Sequence, residues 1–175
     1  MRSSGLLRPV FSLGVFAVAL TLGSCDTLQQ QNDFRIAALA PPSGFTRTDE
    51  AGNTLGTADP DDWRIAPIYG PAATTSIDVR PLYPNPTNGS AVTLVINVRT
   101  GGVVGGLRVD GYREREGQLP ARFTLAFEAD ARPGLYAITL IPAQEPAFTL
   151  GGGLRRIVVY DGQNDVVTYG DLMLQ

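Results

Sequence analysis

Hydrophobic and polar positions follow two regimes along this chain. From Ile77 onward, short apolar-rich runs are separated by Gly, Pro, Asn and Asp. Val92, Leu94, Ile96 and Val98 alternate with Thr93, Val95 and Asn97, the period of a strand with one core face. Leu107-Arg108-Val109-Asp110 alternates again and runs on to Tyr112, while Phe123, Leu125 and Phe127 share a face opposite Thr124, Ala126 and Glu128. Leu135 to Ile141 is almost wholly apolar, which predicts a central strand. Leu154–Tyr160 and Val166–Leu174 flank Asp161-Gly162-Gln163-Asn164, a hairpin turn. The pattern predicts an all-β domain over 77–175, a sandwich of about six or seven strands.

Before Ile77 the regime differs. Val10 to Leu22 is a nearly continuous apolar run of 13 residues behind Arg2 and Arg8. A bilayer-spanning helix needs about 20 residues, so this run predicts an export signal over 1–24 rather than a span. Residues 25–40 are polar and Gln-rich, which predicts a flexible tether. No stretch beyond the signal shows a clear helical period. Residues 41–76, with Pro41-Pro42-Ser43-Gly44 and Asp59-Pro60-Asp61-Asp62, read as a turn-rich segment packing on the sandwich.

Composition narrows the chemistry. The 175 residues include 14 basic and 17 acidic side chains, and every basic residue is arginine. Without residues 1–24 the balance is 12 against 17, which argues against nucleic acid as a partner. There is no histidine, hence no Ser-His-Asp or Cys-His arrangement and no imidazole metal ligand. The lack of lysine excludes Schiff-base and Ser-Lys chemistry. Carboxylate chemistry remains. Glu114 and Glu116 alternate with Arg113 and Arg115, which reads as a solvated strand end with self-paired charges rather than a glycosidase pair.

Asp59, Asp61 and Asp62 place three carboxylates in four residues, a composition that suits a hard cation. The spacing is not that of a calcium loop, and a solvated acidic turn accounts for it. Asp161, Asn164 and Asp165 raise the same question in the predicted hairpin. Trp63 and Tyr69 are the candidates for a contact surface, because aromatic faces stack on sugars and peptides; core packing is the competing reading. Gly101–Gly106 and Gly151–Gly153 lack the Gly-Lys-Ser/Thr ending of a phosphate loop and read as turns. No cofactor is implied.

Leu22-Gly23-Ser24-Cys25 closes the apolar run, and Cys25 is the only cysteine in the chain. The tetrapeptide resembles the lipobox of bacterial lipoproteins. That resemblance implies cleavage between Ser24 and Cys25 and acylation of Cys25, so that the membrane is a partner through the lipid. A lone cysteine in an exported chain has no internal disulfide partner. Two or more acyl chains suffice for stable anchoring.

Tyr83-Pro84-Asn85-Pro86 is similar to the YPNP opening of the C-terminal sorting domain carried by type 9 secretion cargo, and Ala131-Arg132-Pro133-Gly134-Leu135-Tyr136 resembles a later strand entry of that family. This resemblance implies an Ig-like or fibronectin-like sandwich. The residues also support a local reading. Two prolines around an asparagine hold an extended segment, and Asn88-Gly89 supplies a turn before the Val92 strand.

Taken together, the sequence points to a lipid-anchored envelope lipoprotein, with the outer membrane favoured over the inner. It displays a non-catalytic sandwich for binding an envelope protein or a glycan, for adhesion or for structural support. Secretion cargo and a small carbohydrate-active protein are the competing readings.

Overall fold

A computed structural model of the chain describes residues 26–115, 118–128, 131–145, 148 and 151–175. Eight strands among them form two antiparallel sheets: β1 (Arg64–Ile65), β2 (Ser76–Tyr83), β3 (Val92–Thr100), β4 (Leu107–Arg115), β5 (Gln118–Glu128), β6 (Gly134–Leu140), β7 (Gly153–Asp161) and β8 (Val166–Leu174). The larger sheet runs β1-β8-β7-β4-β5 and the smaller β2-β3-β6. One apolar core joins them: Leu94, Ile96 and Val98 from the small sheet with Leu107, Val109, Ile157 and Val159 from the large one. The fold is an all-β sandwich. The alternation read in β3 and β4 is what places those side chains inward.

β6 is not central. Among the described residues it forms an edge of the three-stranded sheet, pairing with β3 alone. Tyr136 and Ile138 pack against the core, whereas Leu135 is 69% exposed. Nearly continuous hydrophobicity mimicked a strand covered on both faces.

The predicted tether is replaced in part by a helix. Residues 26–38 are α-helical, here α1, with Phe34 and Ala38 in the core cluster. Phe34 meets the Tyr169 ring at 5.1 Å between centroids. Gln31 Nε2 donates to the Val166 carbonyl at 3.2 Å. At the other end, Arg156 Nη1 donates to the carbonyls of Ala37 (3.0 Å) and Ala38 (3.2 Å). A cation there satisfies carbonyls left over at the helix C-terminus and complements its dipole. α1 therefore lies on the large-sheet face that carries Arg156, Tyr160 and Tyr169, opposite the face of Ile157 and Val159. A stripe of Gln31, Phe34 and Ala38, at spacings of three and four, holds it. Leu28 and Ile36 stay exposed, which hides the helical period.

The Tyr83–Pro86 segment joins β2 to β3 and clasps β8. Both the Tyr83–Pro84 and Asn85–Pro86 peptides are cis. Asn85 is fully buried. Its Nδ2 donates to the carbonyls of Thr46 (3.1 Å) and Asp171 (2.8 Å), and its Oδ1 accepts from Met173 N–H at 3.0 Å. Its backbone pairs with Thr48 in both directions. Thr87 continues the seam, its N–H bonded to the Met173 carbonyl and its carbonyl to Gln175 N–H. A buried amide so fully paired fixes the register of three segments at once.

Candidate functional site

Residues 1–25 lie outside the described residues, and so do Ser24 and Cys25. Among the described residues no helix is long and apolar enough to cross a membrane. Glu116 also falls outside them, while Glu114 sits in β4.

Neither predicted contact aromatic is on the surface. Trp63 is 6% exposed and Tyr69 7%. Trp63 N–H donates to the Tyr169 carbonyl at 2.6 Å, beginning the short β1–β8 pairing, and its indole lies against the bare Cα of Gly170. Tyr69 donates its hydroxyl to Asp161 Oδ2 at 2.5 Å. Burial, and then that bond to a carboxylate, push the Tyr69 hydroxyl well above its ordinary pKa. Both residues fasten the 41–76 segment to the sandwich. The physical reason is that large aromatic rings beside a turn gain more by burying their apolar area against the sheet than by staying in water.

The three aspartates are drawn to different tasks. Asp59 Oδ1 accepts Asp61 N–H at 2.9 Å, a local turn bond. Asp61 forms an exposed pair with Arg64 at 3.3 Å. Asp62 turns inward, where Oδ2 accepts Thr46 N–H (2.6 Å) and Oδ1 accepts Asp171 N–H (2.9 Å). Burial pushes the Asp62 carboxyl up to about 7, reinforced by the nearby Asp171 charge and opposed by the Thr46 bond. Among the described residues no three such groups are placed to hold a metal ion. In the hairpin, Asp161 Oδ1 accepts the N–H groups of Gln163 and Asp165, both at 2.8 Å. The second acidic cluster is thus a pinned turn.

A cavity that only Asn164 among these candidates touches opens between α1 and the β4–β5 end of the large sheet. It has a volume of about 610 Å³ and is lined by Arg35 of α1, Leu39 just after it, Arg108 and Tyr112 of β4, Arg122 of β5, Tyr160 of β7 and Asn164 of the hairpin. Asp110 lies beneath it, fully buried. Asp110 Oδ2 accepts from Arg108 Nε (3.1 Å) and Arg122 Nε (2.8 Å), and Oδ1 accepts from the Thr124 hydroxyl (2.9 Å). Charge-assisted bonds from two sides offset the desolvation of this carboxylate. The two guanidiniums are held side by side over the Tyr160 ring, their Cζ atoms 4.9 and 5.9 Å from its centroid.

No family model matches this chain, and no curated protein matches it. Function must therefore be argued from the residues themselves.

The hydroxyls of Tyr112 and Tyr160 share one hydrogen bond of 2.6 Å. Two hydroxyl protons and one shared bond leave a proton to donate. Burial, and then the Tyr112 contact, hold Tyr160 protonated well above its ordinary range. Arg108 Nη1 donates to Asn164 Oδ1 at 2.9 Å, and its Nη2 is buried with no acceptor among the described residues. A periodic signal for this site was present in the sequence. Arg108, Asp110 and Tyr112 alternate as polar residues on the outer face of β4. What the sequence did not supply was the register that sets Arg108 opposite Tyr160 and Tyr112 opposite Arg122.

Proposed function

We propose that this chain is a lipid-anchored envelope lipoprotein, held at the outer membrane through Cys25, whose sandwich binds rather than catalyses. The observation that carries the reading is the arrangement of Arg2, Arg8, a 13-residue apolar run and then Leu22-Gly23-Ser24-Cys25, with Cys25 the only thiol of the chain. A chain without histidine or lysine has few routes to acid–base or nucleophilic work near neutral pH, which supports a binding role. The arginine–tyrosine cavity offers a place for it. α1 is already helical at residue 26, the first described residue, which directly follows Cys25 in sequence. On this reading the domain rides near the lipid surface, because only the first turns of α1 separate the anchor from the docked stripe at Gln31 and Phe34.

The YPNP resemblance is better accounted for by the fold than by export. Every polar atom of the Asn85 side chain is used inside the domain.

Acyl-lipid labelling of the wild type and of Cys25→Ala, with membrane fractionation and protease shaving of whole cells, tests the proposal. Label on the wild type alone, with the protein in the outer-membrane fraction, is expected. An unlabelled wild type overturns it.

A further inference from the structure

We propose that the cavity between α1 and β4–β5 binds a phosphate monoester. The inference rests on the reading of this chain as a binding module and names the ligand class of its site. Three guanidiniums, Arg35, Arg108 and Arg122, line the cavity, and among the described residues the one carboxylate paired with any of them is the buried Asp110, held by Arg108 and Arg122. The site therefore carries an excess of two positive charges in a chain whose net charge is −3. A monoester brings a matching charge of about −1.5 to −2 near pH 7, with oxygens that accept several bonds at once.

The donors are already placed. Asp110 takes the Nε of Arg108 and of Arg122, which fixes both planes and leaves Nη groups for a ligand. Arg35 is exposed on α1 and pairs with no carboxylate among the described residues, so it completes the ring from the opposite wall at no cost to the fold. The spare hydroxyl proton of the Tyr112–Tyr160 pair adds a neutral donor. Guanidinium forks suit phosphate geometry better than a point charge does. At about 610 Å³ the cavity exceeds a bare phosphate and has room for the group that bears it.

The monoester could be a free metabolite or a lipid headgroup, and two arms of one experiment separate these. In the first, glycerol 3-phosphate is titrated into the detergent-solubilised full chain by calorimetry, with glycerol as the uncharged control. Saturable binding of glycerol 3-phosphate alone is expected, weakened about tenfold in Arg35→Gln and in Arg122→Gln. Arg35→Gln is the decisive variant because Arg35 supports nothing in the fold. Arg99→Gln, on the other sheet, is expected to bind as the wild type does. In the second arm, the full chain carrying Cys25→Ala is sedimented with phosphatidylcholine vesicles, with and without phosphatidic acid. Recruitment that needs phosphatidic acid and Arg35 assigns the headgroup; binding in the first arm alone assigns a soluble monoester. Absence of saturable binding in both arms, or binding equal in the wild type and Arg35→Gln, overturns the proposal. Acyl labelling of Cys25 is read separately, so a failure here leaves the anchor standing, and a failure there leaves this result interpretable.

Discussion

Arg156 on β7 holds Asp171 on β8 through two bonds, Nε to Oδ1 at 2.6 Å and Nη2 to Oδ2 at 3.0 Å, while its Nη1 closes the end of α1. Both side chains are almost fully buried. Removal of either partner leaves a buried charge unpaired. Arg156→Ala or Asp171→Ala is expected to cost about 3–5 kcal/mol in urea unfolding. The double variant Arg156→Met with Asp171→Leu should be more stable than either single alanine variant. A double variant that loses the sum of the two single losses would show that the pair does not act as a unit.

Asn85 gives a second test. Asn85→Asp keeps the shape but removes the two N–H donors facing the carbonyls of Thr46 and Asp171. A loss of about 2–4 kcal/mol is expected, from unpaired buried acceptors and a buried charge. Thermal melts of the two proteins side by side measure it. An unchanged melting temperature would mean that the YPNP segment does not hold the sandwich together.

Gly170 has no room for a methyl group, because a Cβ there would overlap the Trp63 indole. Gly170→Ala is expected to destabilise by about 1–3 kcal/mol and to shift the emission of the single tryptophan. Pairing it with Trp63→Leu should recover part of the loss. Additive costs in the pair would place the strain elsewhere.

Asp62 makes stability depend on pH. Its carboxyl titrates near 7 in the folded chain against an ordinary 3.8. Between those values the folded state keeps a proton that the unfolded state has released. The contribution of Asp62 is therefore present at about pH 4 and is lost as pH rises through 7. Allowing for partial solvent access, a decline of about 2 kcal/mol between pH 5 and 8 is expected in the unfolding free energy from urea titration. Asp62→Asn should flatten that slope; a variant that keeps the full slope would assign it to another group.

Phe34→Ala tests the docking of α1. The expected cost is about 3 kcal/mol, with faster hydrogen exchange over 31–38 and little change in β3 or β7. Uniform loss of protection across both sheets would instead make α1 part of the cooperative core.

The strands were legible because their alternation is strict. Val92–Val98 and Leu107–Tyr112 announce one inward face, and Asp161–Asn164 announces the hairpin between β7 and β8. α1 was not, since Phe34 and Ala38 are its only core residues and the apolar Leu28 and Ile36 face solvent. The place of β6 is not legible, because an apolar edge strand and an apolar central strand share one composition. Nor is the cavity, because its lining comes from α1, β4, β5, β7 and the hairpin, and cross-strand register is a property of the folded sheet alone. Trp63 and Tyr69 are lone aromatics in a polar region, a signal shared by contact surfaces and by rings that anchor a peripheral segment.

α1 also decides how the molecule carries mechanical load. A slack leader would absorb a pull by straightening. Here a pull on the chain before residue 26 runs along a helix into Phe34 against Tyr169, and into the Arg156 bonds to Ala37 and Ala38. The force arrives at β7 and β8, the latter also seamed to the Asn85 loop. The first part to yield under tension is therefore the seat of α1, and its release would remove one wall of the arginine–tyrosine cavity while the sandwich stayed closed.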